Sequence, residues 1–361
     1  MKIKIAILFG GKSAEHEVSL KSATNIFNAV DKTKFEPILI GIDKNGNWYY
    51  NKDYIKPTIN LTKLDYFNQS SNVFLFNSNS LTQIIDKETN QVLNFFEVAF
   101  PIIHGTFGED GTLQGLLKSL NIPFVGPDIL GSAIAMDKDV TKRLLRDANI
   151  PIADFYTLQK HNSNEYTFEE IVDKLKLPLF VKPANAGSSV GVTKVTSKNT
   201  FIAALSEAFK FDNKILIEEA INGKEVECAI LGNEIIKASV IGEIIPTKDF
   251  YSYEAKYLSL NGAKMKIPAE IDEVTSSKIK EEAIKAFKTI CSEGMARVDF
   301  FLKEDNTFVL NEINTLPGFT EISMYPKLWE HSGIEYKNLI TELINLAIKR
   351  HKRDNELLTE K

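Results

Sequence analysis

Cysteine is scarce in this sequence, and its placement argues against two classes of protein. The two cysteines, Cys228 and Cys291, lie far apart and form no Cys-x-x-Cys pair. Disulfide-stabilised scaffolds and structural zinc sites need several closely spaced cysteines. We therefore expect neither class, and we predict two buried, reduced thiols in a cytoplasmic protein.

Long apolar runs and an excess of positive charge are also missing. No stretch of about 18 apolar residues is present, and the apolar run in the initial MKIKIAILFGG is too short for a signal peptide. Lys and Arg number 43 against 48 Asp and Glu, which gives a formal net charge of −5. Because nucleic-acid binding requires a basic surface, we expect neither a nucleic acid nor a membrane as partner.

Apolar strands that alternate with helices are what the sequence does contain. The segments 3–9, 35–42 and 98–105 are typical of buried strands, and helical stretches follow the first and the third. This alternation predicts a parallel sheet with right-handed crossovers, and so an α/β fold, with 1–126 as a first domain. The stretch 45–95, rich in Asn, Ser and Lys, is predicted to be a peripheral insertion.

The second half of the chain has a different strand pattern. VECAILG and EIIKASVIGEI alternate apolar and polar residues, as antiparallel strands do. We therefore predict an α+β arrangement in the C-terminal part. Because a domain typically has roughly 100–200 residues, the 361 residues make two or three domains.

Two strands late in the chain carry oxygen-bearing side chains on one face. ARVDFFL places Arg297 and Asp299 two residues apart, and TFVLNEIN does the same for Glu312 and Asn314. If the strands pair, three oxygen ligands converge, which suits Mg²⁺. The alternative is a salt bridge from Arg297 to Glu312 on a solvated hairpin, although the strands are rather apolar for that.

A loop of small residues suggests a phosphate site. VKPANAGSSVGV places Lys182 at the end of an apolar strand, before a loop that lacks the Walker pattern. Its backbone N–H groups can still bind phosphate oxygens, with Lys182 as a point charge. An ordinary hairpin turn is the alternative.

Acids at a strand end suggest the rest of a nucleotide site. Glu218 and Glu219 end the strand KILIEEAI, and Glu225 follows a turn. Strand ends beside a nucleotide cleft offer backbone groups to adenine and carboxylates to ribose. Solvated strand-end acids are the alternative reading.

The segment LFGGKSAEHEVS opens a helix with two glycines, but the third glycine of the dinucleotide fingerprint is missing. Glu15 lies at the helix start, where a carboxylate favours an ammonium group over phosphate; it is otherwise an acid stabilised by the helix dipole. His104 ends the third strand, at an edge where α/β sheets bind ligands, unless it is a core histidine.

The polar segment DFYSYEAKY combines Lys256 with Tyr251, Tyr253 and Tyr257. It is typical of a lid that brings a lysine onto a phosphate, or of a surface loop.

Taken in order, these segments resemble the D-alanine–D-alanine ligases of the ATP-grasp superfamily. The resemblance covers about residues 4–330 and rests on GGKSAEHEVS, HGTFGEDGTLQG, MDKDVTK, VKPANAGSSVGV, YEAKY, ARVDF and NEINTLPGFTEIS. It implies an ATP-grasp fold with an N-terminal Rossmann-like domain (1–126), a central lid subdomain (127–214) and a C-terminal catalytic domain (215–361).

The resemblance also implies roles for single residues. The ATP-binding residues would be Lys138, Lys182, Glu218, Glu219, Ile221, Glu225 and Lys256. Two Mg²⁺ ions, with Mn²⁺ as an alternative, would be held by Asp299, Glu312 and Asn314. Glu15 and His104 would bind the first D-alanine, and Ser188 and Tyr257 would be hydrogen-bonded to Glu15. Arg297 and the Gly318 N–H would be the oxyanion donors. Ser323 and the Met324 backbone would bind the carboxylate of the second D-alanine.

The implied reaction joins two D-alanines through an acyl phosphate, for peptidoglycan precursor synthesis in a homodimeric enzyme. Ligases that use D-lactate or D-serine are the nearest alternatives, although D-lactate enzymes carry a His in the loop where this chain has the Lys256–Tyr257 pair. Ala186 stands where some members have an acid. A nucleotide-binding module without turnover is a further alternative, disfavoured because Arg297, Lys256 and the metal ligands are all present.

Overall fold

Three β-sheets organise the computed structural model, which describes residues 2–54, 57–78, 81–246 and 263–358. The strands within these ranges are β1 (Ile3–Gly10), β2 (Phe35–Ile42), β3 (Trp48–Tyr50), β4 (Ser71–Ser78), β5 (Leu81–Asp86), β6 (Val92–Phe96), β7 (Val98–Pro101), β8 (Phe155–Gln159), β9 (Leu179–Pro183), β10 (Thr193–Val195), β11 (Lys214–Glu219), β12 (Lys224–Gly232), β13 (Lys237–Pro246), β14 (Ala263–Lys266), β15 (Gly294–Leu302) and β16 (Phe308–Asn314). The α-helices within the same ranges are α1 (His16–Ala29), α2 (Thr112–Ser119), α3 (Ile129–Met136), α4 (Lys138–Asp147), α5 (Phe168–Leu175), α6 (Lys198–Ala208), α7 (Glu273–Thr289), α8 (Met324–His331) and α9 (Tyr336–Asn355).

The first sheet is mixed, so the predicted parallel sheet is present only in part: the successive pairs from β2 to β6 are antiparallel. Its order is β6-β5-β4-β3-β2-β1-β7, and β1 pairs in parallel with β2 and β7. The stretch 45–95, predicted to be a peripheral insertion, supplies strands β3 to β5 and most of β6 at the outer side of this sheet. It is nevertheless part of the core, because Val73 and Ile84 are buried together with Leu8 and Ile40.

The second sheet has four strands in the order β10-β9-β11-β8. All its pairs are antiparallel, and the apolar faces of α5 and α6 cover it through Ile171 and Phe201. The sheet bears on the domain division, which remains a prediction. Since Lys214 begins β11, a boundary after Glu219 would keep this sheet whole, whereas the predicted boundary separates β11 from its partners.

The third sheet runs β14-β13-β12-β15-β16 and is antiparallel throughout. Helix α7 covers one face, where Ile279 and Phe287 pack with apolar residues of β12 and β15. The register places Arg297 opposite Asn314, and Asp299 opposite Glu312. The two strands that were predicted to bring oxygen ligands together therefore do pair side by side.

A continuous apolar cluster joins the first sheet to the third. It contains Ile5 and Phe9 of β1, Phe319 of the loop after β16, and Leu343 of α9. Arg350 of α9 adds a buried polar tie, since its guanidinium donates to the carbonyl oxygens of the segment before α3, at Gly126 (2.5 Å) and Phe124 (2.8 Å).

Two local predictions differ from the structure. The stretch 122–126, which reads as a short strand, forms one isolated bridge between Ala99 and Phe124. Cys228 is buried as predicted, but Cys291 is exposed, because it lies in the turn after α7 with a φ of 55°. Within the described ranges, no helix is long and apolar enough to cross a membrane.

Candidate functional site

A cavity of about 400 Å³ lies between the second and third sheets. Eight residues that were predicted to belong to the functional site line this cavity. They are the predicted ATP-binding residues Lys138, Lys182, Glu218, Glu219, Ile221 and Glu225, the predicted metal ligand Glu312, and Ser188, the predicted partner of Glu15. Phe180, Ile244 and Phe301 add apolar surface to the same walls. An apolar pocket with a few convergent charged groups is typical of a nucleotide site.

Lys182 and Glu218 form a buried ion pair on the floor of this cavity. The Nζ of Lys182 lies 2.7 Å from Oε2 of Glu218, and the Nζ of Lys142 from α4 lies 3.3 Å from Oε1. Burial acts to raise the pKa of Glu218, but the two ammonium groups outweigh it and hold that pKa below its usual value. One carboxylate therefore fixes two lysines, which together carry an excess of positive charge.

The small-residue loop after β9 connects the cavity to the first sheet. The Ser188 hydroxyl donates to Oε1 of Glu15, while the Nζ of Lys138, at the start of α4, donates to the Ala186 carbonyl oxygen at 2.6 Å. Ser188 and Ser189 have φ values of 53° and 59°. Non-glycine residues in this region are strained and are enriched at ligand sites.

Glu15 itself is placed by the tight turn after β1. Gly10 has a φ of 91°, and a Cβ there would lie 2.2 Å from the Ile42 carbonyl oxygen, so only glycine fits. The ring of His16 closes the turn with Nδ1 at 2.9 Å from the Gly11 carbonyl oxygen. The two glycines that resemble a dinucleotide loop thus position a carboxylate.

The acids around β11 differ in their surroundings. Glu219 accepts the Asp154 N–H at 2.8 Å, which ties the start of β8 to the cavity wall. Glu225, at the start of β12, and Ile221 line the cavity. The alternative of solvated strand-end acids is excluded for Glu218, whose exposed fraction is 5%.

A second buried ion cluster lies on the third sheet. Arg297 binds Asp299 through two hydrogen bonds, Nε–Oδ1 at 2.8 Å and Nη2–Oδ2 at 2.7 Å, and its Nε is 3.0 Å from Oε2 of Glu227. Burial acts to lower the pKa of Arg297, but Asp299 and Glu227 raise it well above its usual value. The predicted alternative, a hairpin salt bridge in solvent, does not apply, because Asp299 and Glu227 are buried.

The predicted metal ligands stand on neighbouring strands with suitable chemistry. Asn314 Nδ2 donates to Oδ2 of Asp299 at 2.9 Å, which leaves the amide oxygen of Asn314 for another partner. Glu312 lies opposite Asp299 and also lines the cavity. Across the described residues, no group of three or more His, Cys, Asp and Glu is arranged to hold a metal. Two carboxylates and an amide fit an ion that takes its other ligands from phosphate and water.

His104 lies in a buried polar group next to Glu15. Its Nδ1 donates to the Leu316 carbonyl oxygen at 3.0 Å and lies 3.9 Å from Oε1 of Glu109. Burial acts to lower the pKa of His104, but the Glu109 carboxylate outweighs it and the pKa is raised. Gly105, the residue after His104, lies against Glu15: a Cβ on Gly105 would be 3.1 Å from Oε2 of Glu15.

The loop from Leu316 to Ser323 brings the predicted second-substrate residues together. A Cβ on Gly318 would lie 2.7 Å from the Ser323 hydroxyl. That hydroxyl accepts the Thr320 N–H at 2.9 Å, and Ser323 immediately precedes α8, whose first residue is Met324. Backbone N–H groups at a helix start can bind a carboxylate, which is the role predicted for the Met324 backbone.

Some predicted residues cannot be placed, and some site residues were not predicted. Lys256 and Tyr257, with Tyr251 and Tyr253, lie outside the described residues. Lys142 was missed, although it stands four residues after Lys138 on the helix that MDKDVTK begins. Glu227 was missed as well, yet it is the cross-strand partner of Asp299.

Family models and individual relatives match nearly the whole chain, and they point to one family. The family described as D-ala D-ala ligase N-terminus matches residues 4–127, and D-ala D-ala ligase C-terminus matches residues 144–345. A D-alanine–D-alanine ligase of Oceanobacillus iheyensis is 52% identical over 362 residues, covering 99% of this chain and 98% of that protein.

Solved structures give the same result. The D-alanine-D-alanine ligase of Coxiella burnetii has a TM-score of 0.87 and 38% identity, covering 98% of this chain and 96% of that chain. The VanG D-Ala:D-Ser ligase of Enterococcus faecalis has a TM-score of 0.85 and 36% identity, covering 96% of this chain and 100% of that chain.

Proposed function

Because the chain belongs to the D-alanine–D-alanine ligase family, we propose that it joins two D-alanines at the expense of ATP. This family has the ATP-grasp fold and makes D-alanyl-D-alanine for peptidoglycan. The observation that carries the proposal is the cavity of about 400 Å³, with Lys138 and Lys182 on one wall and Glu312 on another. Its loop meets Glu15 through Ser188.

The first half-reaction activates a carboxylate, which is otherwise a poor acyl donor. The carboxylate of the first D-alanine attacks the γ-phosphorus of ATP, ADP leaves, and an acyl phosphate forms. Glu15 binds the ammonium of this D-alanine, beside His104. Lys138, Lys182 and Lys256 bind phosphate oxygens. Phosphoryl transfer needs mainly positioning and charge neutralisation, which these groups provide.

ATP binds with its base against the apolar wall of the cavity. Glu218, Glu219, Ile221 and Glu225 line the adenine and ribose end. Two Mg²⁺ ions, with Mn²⁺ as an alternative, would be held by Asp299, Glu312 and Asn314 and would neutralise phosphate oxygens. The fit rests on the pairing of β15 with β16, which sets Asp299 opposite Glu312.

The second half-reaction forms the amide bond. The amine of the second D-alanine attacks the acyl phosphate carbonyl, the bond from that carbon to the phosphate oxygen breaks, and the leaving phosphate takes up the proton that the amine loses. Arg297 and the Gly318 N–H stabilise the tetrahedral oxyanion, a contact worth about 3–4 kcal/mol per donor in hydrolases. Ser323 and the Met324 backbone bind the second carboxylate. Glu15, Ser188 and Tyr257 close the site against water, because acyl phosphates hydrolyse readily.

The chain is further proposed to act as a homodimer. Phe74 and Phe76 of β4 and Val92 of β6 are 42%, 52% and 55% exposed at the outer side of the first sheet. An apolar sheet face of this kind is typically covered by another chain. Light scattering at micromolar concentration should give twice the mass of 40.6 kDa, and a monomeric mass would contradict the proposal.

Phosphate release and product mass test the main proposal. Mg-ATP is incubated with D-alanine, with L-alanine, or with D-alanine plus D-serine or D-lactate. Release with D-alanine alone, and the dipeptide as product, is expected. A preference for the mixed product with D-serine would instead match the activity named for the Enterococcus structure. No release with any mixture would leave the fold but refute the reaction.

A further inference from the structure

Three side chains, two from α1 and one from α9, hold the backbone of one residue, Phe319, beside the proposed second-substrate site. The Phe319 N–H, next to Gly318, donates to the Ser22 hydroxyl at 3.2 Å. The Phe319 carbonyl oxygen accepts from Asn25 Nδ2 at 3.1 Å and from the Tyr336 hydroxyl at 2.8 Å. Both backbone polar groups of this buried residue are therefore paired with side chains and not with neighbouring backbone.

The helix that supplies two of these side chains also begins at the first-substrate site. Glu15 immediately precedes α1, Ser22 stands seven residues later, and Asn25 three residues beyond that. Such spacings place the three residues on one side of the helix. One face of α1 thus reaches the proposed ammonium site at its start and the loop of Gly318 further along.

His104 adds a second fixed point in the same loop. Its Nδ1 donates to the Leu316 carbonyl oxygen, so its Nε2, 3.3 Å from the Ser22 hydroxyl, is the acceptor in the neutral ring. The backbone of the loop is therefore held at Leu316 by His104, which follows β7, and at Phe319 by side chains of α1 and α9.

We propose that Ser22 and Asn25 are positioning residues of the amide-forming step. The inference rests on the proposed function, since it assigns Gly318 to the oxyanion and Ser323 to the second D-alanine. A donor acts only when it is aimed at the developing charge, and a displacement of about 1 Å costs on the order of 10²-fold in rate. The partners described above for Lys138 and Lys182, the Ala186 carbonyl oxygen and Glu218, lie outside this loop.

Ser22→Ala and Asn25→Leu test the proposal through two rates measured on the full chain. Oxygen exchange between the β,γ-bridge and the β-nonbridge positions of ¹⁸O-labelled ATP, in the presence of D-alanine, reports formation of the acyl phosphate. Dipeptide formation reports the complete reaction. We expect the ratio of exchange to ligation to rise about tenfold or more, with a higher KM for the second D-alanine and an unchanged KM for the first.

Two variants separate this role from a general loss of stability. Ser19→Ala removes another buried hydroxyl of α1, which accepts the Gly10 N–H at 2.8 Å and donates to the Ile102 carbonyl oxygen. Its ratio of exchange to ligation should equal that of the wild type. Tyr336→Phe removes the other donor to Phe319 without touching α1. Tyr336→Phe should raise the ratio of exchange to ligation less than Asn25→Leu does. The variant with both substitutions should raise it by more than the two single effects combined, because the Phe319 carbonyl oxygen then loses both side-chain donors.

The outcomes distinguish the two proposals. The positioning role would be overturned if Ser22→Ala and Asn25→Leu lost exchange and ligation in parallel, or if both left the ratio unchanged. In that case the proposed function would still stand, provided that the wild-type protein makes the dipeptide. A wild type that exchanges oxygen without making dipeptide would overturn the proposed function and this inference with it.

Discussion

The two buried ion clusters of the site have inverse compositions. On the second sheet one carboxylate, Glu218, lies between the ammonium groups of Lys142 and Lys182. On the third sheet one guanidinium, Arg297, lies between the carboxylates of Glu227 and Asp299. The first cluster has an excess of positive charge and the second an excess of negative charge.

The difference matches what a triphosphate with divalent cations needs. Lysines attract phosphate oxygens directly, whereas carboxylates attract the cations that accompany them. Neither cluster is explained by stability alone, because apolar residues of similar volume often replace buried ion pairs without loss. The minority charge in each cluster, Glu218 or Arg297, keeps the majority charges in place.

Removing the minority charge of the third sheet should have the largest effect. Arg297→Ala takes away the proposed oxyanion donor and leaves Asp299 and Glu227 without the guanidinium between them, so ligation should fall at least about 10³-fold. ATP affinity, measured by calorimetry, should change little, because Arg297 does not line the cavity. Arg297→Lys should recover only part of the rate, since lysine cannot bind Asp299 through two parallel bonds. Unchanged turnover in Arg297→Ala would refute the oxyanion role.

Removing the minority charge of the second sheet should act mainly on stability. Glu218→Gln leaves two buried ammonium groups unpaired, which we expect to cost about 3–5 kcal/mol of unfolding free energy at pH 7. Because folding lowers the pKa of Glu218, its contribution is present above the usual value of 4.5 and is lost as pH falls through the folded pKa. Urea unfolding of the wild type and of Glu218→Gln between pH 7 and 3 measures the difference in their unfolding free energies. This difference should become smaller as the pH falls.

An exposed ion pair of the same length provides the control for that variant. Lys198 Nζ and Glu169 Oε1 are 2.7 Å apart on the surface of the same region. Glu169→Gln should cost less than about 1 kcal/mol. Equal losses for the buried and the exposed pair would contradict the comparison between clusters.

The metal role of Glu312 predicts a more moderate change. Glu312→Gln should raise the Mg²⁺ concentration needed for half-maximal ATP consumption by about tenfold or more, because it removes a charged ligand. Glu304→Gln changes an exposed carboxylate in the turn of the same β15–β16 hairpin and should leave the titration unchanged. If Glu312→Gln needed the same Mg²⁺ concentration as the wild type for half-maximal ATP consumption, the proposal that Glu312 is a metal ligand would be refuted.

The smallest effect concerns His104. Folding raises its pKa, so its contribution to stability is present below the usual 6.5 and is lost as pH rises through the folded pKa. Glu109→Gln removes the carboxylate that raises it, and the His104 pKa should fall, as NMR titration of the ring would report. Asp110→Asn, at the neighbouring residue, should not move it. An unchanged His104 pKa in Glu109→Gln would contradict this cause.

The sequence predicted elements where the apolar pattern alone decides the structure. Strands 3–9 and 35–42 and the antiparallel pair of β15 and β16 appear as expected, because burial on a fixed face specifies the register. Helix α8 and strand β8 were not predicted, since elements of eight and five residues are too short to show a clear hydrophobic period. The strand predicted at 122–126 lacks partners for more than one bridge.

Within the site, sequence spacing predicted pairs on one element better than contacts between elements. The period of two residues placed Arg297 with Asp299, and Glu312 with Asn314, whereas the approach of Asp299 to Glu312 was predicted only on condition that the two strands pair, as they do. The contacts of Lys142 with Glu218, and of Ser22 with Phe319, join residues 76 and 297 positions apart. No local pattern encodes such separations, so only the folded chain reveals them.

The apolar cluster that joins β1 to α9 has a consequence for synthesis on the ribosome. Ile5 and Phe9 emerge first, but Leu343 and Ile344 of the same cluster emerge only when α9 has been made. Contacts between residues so far apart in sequence form late and slowly. The nascent chain must therefore carry part of its core uncovered through most of translation, when chaperones bind best. Chains truncated before Tyr336 should be cleaved by protease at sites that the full chain protects.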